Sequence, residues 1–247
     1  MRAVILAAGR GARMGHLTRD VPKCLVPVAG RALLEWQITA LRRAGIGSIG
    51  VVRGYLAHLI DGRDLELFDN ARWAETNMVT SLACAANWLH EGPVVVSYAD
   101  IFYPSTAVTA LVEARADIAI AYDVDWRSLW EQRFADPLSD AETFRLDGTR
   151  VVDIGRRADA IDEIHGQYMG LLKFTPAGWR AVEAYLATRS REERDRLDMT
   201  GLLSALIRAG QWIEGVRVAG EWGELDSGDD LGLYERLIAQ GRLALPA

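Results

Sequence analysis

The feature that most constrains this chain is an apolar run, Ala3-Val4-Ile5-Leu6-Ala7, that breaks directly into Gly9-Arg10-Gly11-Ala12-Arg13-Met14-Gly15. Five apolar residues without polar alternation fit a strand covered on both faces, as in a parallel sheet. Residues 32–44 then carry Leu33, Leu34, Trp36, Ile38 and Leu41, with Arg42, Arg43 and Gly45 at the end. That pattern predicts a helix with a basic last turn and a glycine stop. Strands are expected at 48–52, 94–98 and 118–122, and helices at 81–89 and 107–115. The alternation places the chain in the α/β class, with a parallel-rich sheet under helices. Beyond Asp125 the rhythm loosens. Strands are expected at 150–154, 168–174 and 213–218, and helices at 178–187, 200–209 and 229–240. Residues 192–196 read as a solvated helix end. With no repeat and no Pro/Ser-rich linker, residues 1–247 are read as one domain.

Composition removes several classes of function. The chain has 247 residues, is 50% hydrophobic and 25% charged, and carries a net charge of −6. That is a globular composition, and an acidic surface argues against nucleic-acid partners. Cys24 and Cys84 form no CxxC pair, and His16, His58, His90 and His165 show no metal-ligand spacing. No run approaches the ~20 apolar residues of a membrane span, and the N-terminal run is too short for a secretory signal. The cytoplasm is the expected address, with no membrane partner.

The glycine segment sets the chemistry. Gly9 and Gly11 let backbone N–H groups approach a ligand, which suits triphosphate oxygens. Arg13 adds a planar cation that grips two oxygens at once, and Pro22-Lys23 supplies a second cation after a rigid proline. Two cations around a glycine loop match a reaction whose leaving group is pyrophosphate. No GxxxxGK[ST] string is present, and a GxGxxG fingerprint fails because Met14 stands at its sixth position. A tight strand-to-helix turn with incidental arginines is the plain alternative.

The longer stretch from Leu6 to Gly30, an LAAGxGxRM loop followed by PKCLVPVAG, resembles the signature of the sugar-nucleotidyltransferase-like superfamily. The resemblance implies a Rossmann-like three-layer α/β/α fold with a mostly parallel, mixed sheet. It also assigns triphosphate and base binding to Gly9 and Gly11, and phosphate chemistry to Arg13 and Lys23.

Asp100 follows the strand expected at 94–98, where ligands sit in doubly wound sheets. Asp226 lies in Trp222-Gly223-Glu224-Leu225-Asp226-Ser227. Two such aspartates suit Mg²⁺ carried with a triphosphate, although by spacing alone each also reads as a cap. The superfamily resemblance implies metal binding at both.

Resemblance extends over nearly the whole chain to the phosphocholine and 2-aminoethylphosphonate cytidylyltransferase branch. It includes Ala74-Glu75-Thr76-Asn77-Met78-Val79-Thr80-Ser81 and Asp125-Trp126-Arg127-Ser128-Leu129-Trp130. The branch implies CTP, with the nucleotide held by Leu6, Ala7, Ala8, Gly9, Gly11, Asn77 and Ser81. It further implies a small phosphorylated or phosphonate acceptor and, by family habit, a homodimer. An ammonium acceptor suits aromatic faces with a nearby carboxylate, for which Trp126, Trp130, Tyr103, Tyr168 and Trp222 are candidates, with Asp125, Asp136, Asp140 or Glu142 supplying the charge. Arg127 and Arg133 suit a phosphonate or carboxylate. Where many superfamily members carry an IGxK-type strand end whose lysine touches the acceptor phosphate, this chain has Ile154-Gly155-Arg156-Arg157, and Arg156 is a further acceptor candidate. A hexose-1-phosphate nucleotidyltransferase and a non-catalytic nucleotide sensor of the same fold are the competing readings.

Overall fold

The computed structural model describes residues 1–62 and 64–246, with Arg63 and Ala247 outside. Its centre is a nine-stranded sheet of β1 (Arg2–Ala7), β2 (Ser48–Arg53), β3 (Glu66–Asp69), β4 (Val94–Tyr98), β5 (Ile118–Asp123), β6 (Glu142–Asp147), β7 (Arg150–Arg157), β8 (Gln167–Phe174) and β9 (Ile213–Val218). The spatial order is β3-β2-β1-β4-β8-β5-β9-β7-β6. The first four strands in that order run parallel, β8 is antiparallel to both neighbours, β9 is parallel to β5, and β6–β7 closes the edge as an antiparallel hairpin. The sheet is therefore mixed.

Alternation along β1 explains the unbroken apolar run. Ala3, Ile5 and Ala7 point into one core with Leu34 and Leu41 of α1 (Leu33–Arg43). Val4, Leu6 and Ala8 point into the other, against Val79 and Leu82 of α2 (Met78–Ala83) and Leu89 of α3 (Ala86–Glu91). Helices cover both faces, so every position of a central strand must be apolar. The layer on the first face includes α4 (Ser105–Glu113); that on the second includes α6 (Pro176–Ala187) and α8 (Met199–Arg208). The three-layer α/β/α architecture matches the expected class.

The stop of α1 follows its sequence. Gly45 takes φ +83°, and Gly45 N–H and Ile46 N–H donate to Arg42 and Leu41 carbonyls, satisfying the last turn. The helix expected at 81–89 is instead two short helices, α2 and α3, separated at Cys84–Ala85. Three elements lack a clear sequence signal: edge strand β3, half-exposed β6, and α5 (Trp126–Arg133). The charge cluster is a short capped helix, α7 (Arg191–Arg196), and α9 (Gly228–Ala239) follows near the C-terminus. Among the described residues no helix is long and apolar enough to cross a membrane.

Candidate active site

Parallel pairing of β1 with β4 sets Leu6 beside Tyr98, so the glycine loop and the Asp100 turn leave the sheet side by side. Between them lies a cavity of about 220 Å³. Leu6, Ala7, Ala8, Gly9, Gly11, Arg13, Lys23, Asn77, Ser81, Asp100 and Asp226 all line it, together with Trp73, Thr76, Met78 and Tyr98. Thus every residue expected to hold nucleotide or metal borders one space at the carboxyl ends of parallel strands.

Asp226 reaches the site over a long sequence gap through a small ribbon. Gly223 and Glu224 pair with Phe102 and Ile101, and Leu225 N–H donates to the Asp100 carbonyl at 2.8 Å. Residues two apart on extended chain face the same side. Glu224 therefore joins Asp226 beside Asp100, and the three carboxylates offer oxygens within 4.8 Å of one another. Sequence reading passed over Glu224, although its spacing from Asp226 was the available signal. Asp100 Oδ1 is buried with no hydrogen-bond partner. An all-oxygen donor set with an unmet acceptor fits a hard divalent cation such as Mg²⁺. Burial, then Asp100 and Asp226, push the Glu224 carboxyl above its ordinary range.

Lys23 sits in this acidic cluster. Its Nζ lies 2.8 Å from Asp100 Oδ2 and 2.8 Å from Asp226 Oδ1, with 8% of the residue exposed. Burial disfavours the ammonium, but pairing and hydrogen bonding to the two aspartates outweigh it and raise its pKa. Gly11 makes this placement feasible. Its φ is +65°, and a Cβ there would meet the Lys23 Cδ at 2.9 Å. Arg13 Nη1 lies 3.1 Å from Asp226 Oδ2, on a side chain 74% exposed.

The opposite end of the cavity is a hydrogen-bonded scaffold. Asn77 caps α2, its Oδ1 accepting from Met78 N–H, while its own N–H donates to the Asp195 carbonyl at 2.7 Å. Ser81 Oγ accepts from Asn70 Nδ2 at 3.0 Å. Buried Asn70 also holds Thr76, a role that its loop position concealed.

The expected acceptor residues fare differently. Trp126 and Trp130 do share one face of α5, but that face points inward. They are 4% and 0% exposed, and Trp130 packs against Trp222 at 5.9 Å. Neither ring face is free to form a cage. The Arg133 side chain is wholly buried and paired with Asp230, with Nε–Oδ1 at 2.8 Å, so it is not available to an acceptor. Arg127 pairs with Glu131, and Arg156 with Asp153, on exposed surface outside the cavity. Tyr168 packs edge-on against Tyr98, a cavity-lining ring, at 5.9 Å. Asp140 is within electrostatic reach of Asp226 and Arg13; burial and then Asp226 raise its carboxyl, with Arg133 opposing. Glu142 is likewise raised by burial, then by Asp198 and Asp140. Asp140 thus couples to Asp226, and Glu142 to Asp140 and Asp198.

Comparisons with known proteins place the chain among nucleotidyltransferases. The MobA-like NTP transferase domain matches residues 3–197. A CTP:phosphoglutamine cytidylyltransferase of Campylobacter jejuni subsp. jejuni is 36% identical over 247 residues, covering 94% of this chain and 98% of that protein. A 2-aminoethylphosphonate cytidylyltransferase of Lancefieldella rimae is 36% identical over 104 residues, covering 40% of this chain and 42% of that protein. Among solved structures, an inositol-1-phosphate CTP transferase from T. maritima superimposes with a TM-score of 0.75 at 21% identity. It spans 98% of this chain and 97% of that one, and shows the shared fold. With its sequence matched from β1 to α7 and its loop, lysine and carboxylates gathered at one cavity, the chain belongs to the MobA-like NTP transferase family and is a nucleotidyltransferase.

Proposed function

We propose that the protein transfers CMP from CTP to a small acceptor bearing a phosphate or phosphonate and an amino group, with release of pyrophosphate. One observation carries most of the reading: Lys23 Nζ stands 2.8 Å from both Asp100 and Asp226 in the lining of the glycine-loop cavity. Phosphoryl-directed cation and metal-type carboxylates thus converge on a single point. CTP is favoured by the full-length relative from Campylobacter jejuni, named for that nucleotide.

In this reading Gly9 and Gly11 present backbone N–H groups to the triphosphate, and Asn77 and Ser81 border the base. An acceptor oxygen attacks the α-phosphorus, the bond from that phosphorus to the β-phosphate bridging oxygen breaks, and its electron pair leaves with pyrophosphate. Lys23 offsets charge at the α-phosphoryl group, and Arg13 draws the leaving group outward on its exposed arm. Mg²⁺, held by Asp100, Glu224 and Asp226, would supply further charge neutralisation on the phosphates. No general base is required, because a phosphate or phosphonate nucleophile is already ionised near neutral pH. Orientation and electrostatics carry the rate.

The amino group of the acceptor is supported by charge. Asp140 interacts electrostatically with Asp226, and Glu142 with Asp140 and Asp198, while the guanidinium groups of Arg127, Arg133 and Arg156 are each already held in ion pairs. Pyrophosphate release measured across CTP, UTP, dTTP, ATP and GTP, each with phosphorylated amines, phosphonates and hexose 1-phosphates, tests the proposal. Turnover should be highest with CTP and an amine-bearing acceptor. Preference for a hexose 1-phosphate would replace the acceptor reading, and no turnover with any pair would leave a nucleotide sensor.

A further inference from the structure

The sequence makes Arg133 a candidate for the acceptor, yet its side chain is entirely buried. Its Nε and Nη2 reach both oxygens of Asp230, at 2.8 and 3.3 Å, and its Nη1 lies 3.6 Å from Glu224 Oε2. The guanidinium is fixed from the other side by Trp130 and Phe134, whose ring centroids lie 4.7 and 5.0 Å from it. Asp230 in turn receives the Asp226 N–H at 3.0 Å, the Ser227 N–H at 2.9 Å and the Ser227 hydroxyl at 3.0 Å, all on Oδ2. A continuous path therefore runs from α5 through Arg133 and Asp230 to the backbone of Asp226, with a second branch directly to Glu224.

We infer that Arg133 is a positioning residue for the metal carboxylates, holding the Asp226 arm through Asp230 and flanking Glu224. The inference rests on the metal-site reading of Asp100, Glu224 and Asp226. Asp230 lies at the third position of the α9 capping box, where a carboxylate closes the helix start. A cap alone needs no partner on another helix. Yet this one is locked by a forked guanidinium that burial keeps from water. Lysine supplies the charge but not the fork, so it cannot hold both Asp230 oxygens in the fixed plane that Nε and Nη2 impose. Groups behind the first ligands of a metal commonly set affinity by 10–100-fold.

The test uses the full chain with Mn²⁺ and α,β-methylene-CTP, reading bound Mn²⁺ by electron paramagnetic resonance. Arg133→Lys and Asp230→Asn should each weaken Mn²⁺ roughly 10-fold or more, while circular dichroism stays native. With CTP and an accepted acceptor, kcat at low Mn²⁺ should fall and recover as Mn²⁺ is raised by a similar factor. Recovery separates positioning from simple loss of fold. Wild-type protein that binds Mn²⁺, with folded variants binding equally well, overturns the inference alone. Wild-type protein that binds no Mn²⁺ overturns the metal-site reading as well. If Asp230→Asn does not fold, Arg133→Lys decides: a folded Arg133→Lys chain that binds Mn²⁺ as wild type does overturns the inference.

Discussion

Gly11→Ala isolates the joint between loop and lysine. Gly11 has φ +65°, and an L residue held in the left-handed region costs about 1–2 kcal/mol. In a chain of this size that converts to roughly 2–8 °C of Tm, at about 2–4 °C per kcal/mol. The added Cβ also meets Lys23 Cδ at 2.9 Å and Lys23 Cβ at 3.0 Å, closer than ordinary contact. Relief requires the Lys23 stem to move, which draws Nζ away from Asp100 and Asp226. Losing one aligned charge-stabilising donor typically costs about 10²–10³ in turnover. Gly30→Ala is the matched control: φ is +77°, but nothing lies within 4 Å of its Cβ position. Scanning fluorimetry and a coupled pyrophosphate assay read both effects. Both variants should lose Tm, and only Gly11→Ala should lose turnover. Full activity in a destabilised Gly11→Ala protein would refute the steric link from Gly11 to Lys23.

Other consequences can be measured independently. The Glu224 carboxyl is raised above its ordinary 4.5, so the folded chain retains a proton that the unfolded chain has released. The resulting stability is full below pH 4.5 and declines as pH rises through the folded value. Urea midpoints in EDTA should show this decline in wild type and less of it in Glu224→Gln; equal slopes would count against it. Trp130→Ala should destabilise the fold by about 3–5 kcal/mol, as large core truncations do, without a selective rise in acceptor KM. A selective KM effect in a stable variant would restore the aromatic cage. Asp140→Asn should raise the acceptor KM roughly tenfold, the scale of one charge-assisted hydrogen bond, and leave the CTP KM nearly unchanged. Equal effects on both substrates would remove Asp140 from the acceptor side.

Much of this organisation was legible in the sequence because central strands and glycine loops leave local marks. The run from Ala3 to Ala7 signals a strand covered on both faces, and Gly45 signals the end of α1. The two cations stand out beside the glycine loop, the two aspartates only through the family resemblance, and the structure gathers all four at one cavity. Side-chain direction was less legible. Trp126 and Trp130 have the spacing of one helical face, but spacing does not say whether that face meets solvent or core. Arg133 has the charge of an anion binder, and only the distant Asp230 shows where that charge is used. Glu224 was hidden because its role depends on the ribbon formed with Ile101–Phe102, a pairing across more than a hundred residues. β3 and β6 were hidden for another reason: each is an edge strand, so its outer positions need not be apolar.

Phosphorus NMR of the complete reaction tests the central claim most directly. Wild-type protein incubated with CTP, Mg²⁺ and 2-aminoethylphosphonate or another phosphorylated amine should yield free pyrophosphate and paired doublets from a new P–O–P linkage. Both signals should be absent with EDTA and fall steeply in Asp226→Ala. Unchanged product formation by Asp226→Ala in Mg²⁺, or by wild type in EDTA, would contradict a metal-carboxylate site at Asp100, Glu224 and Asp226.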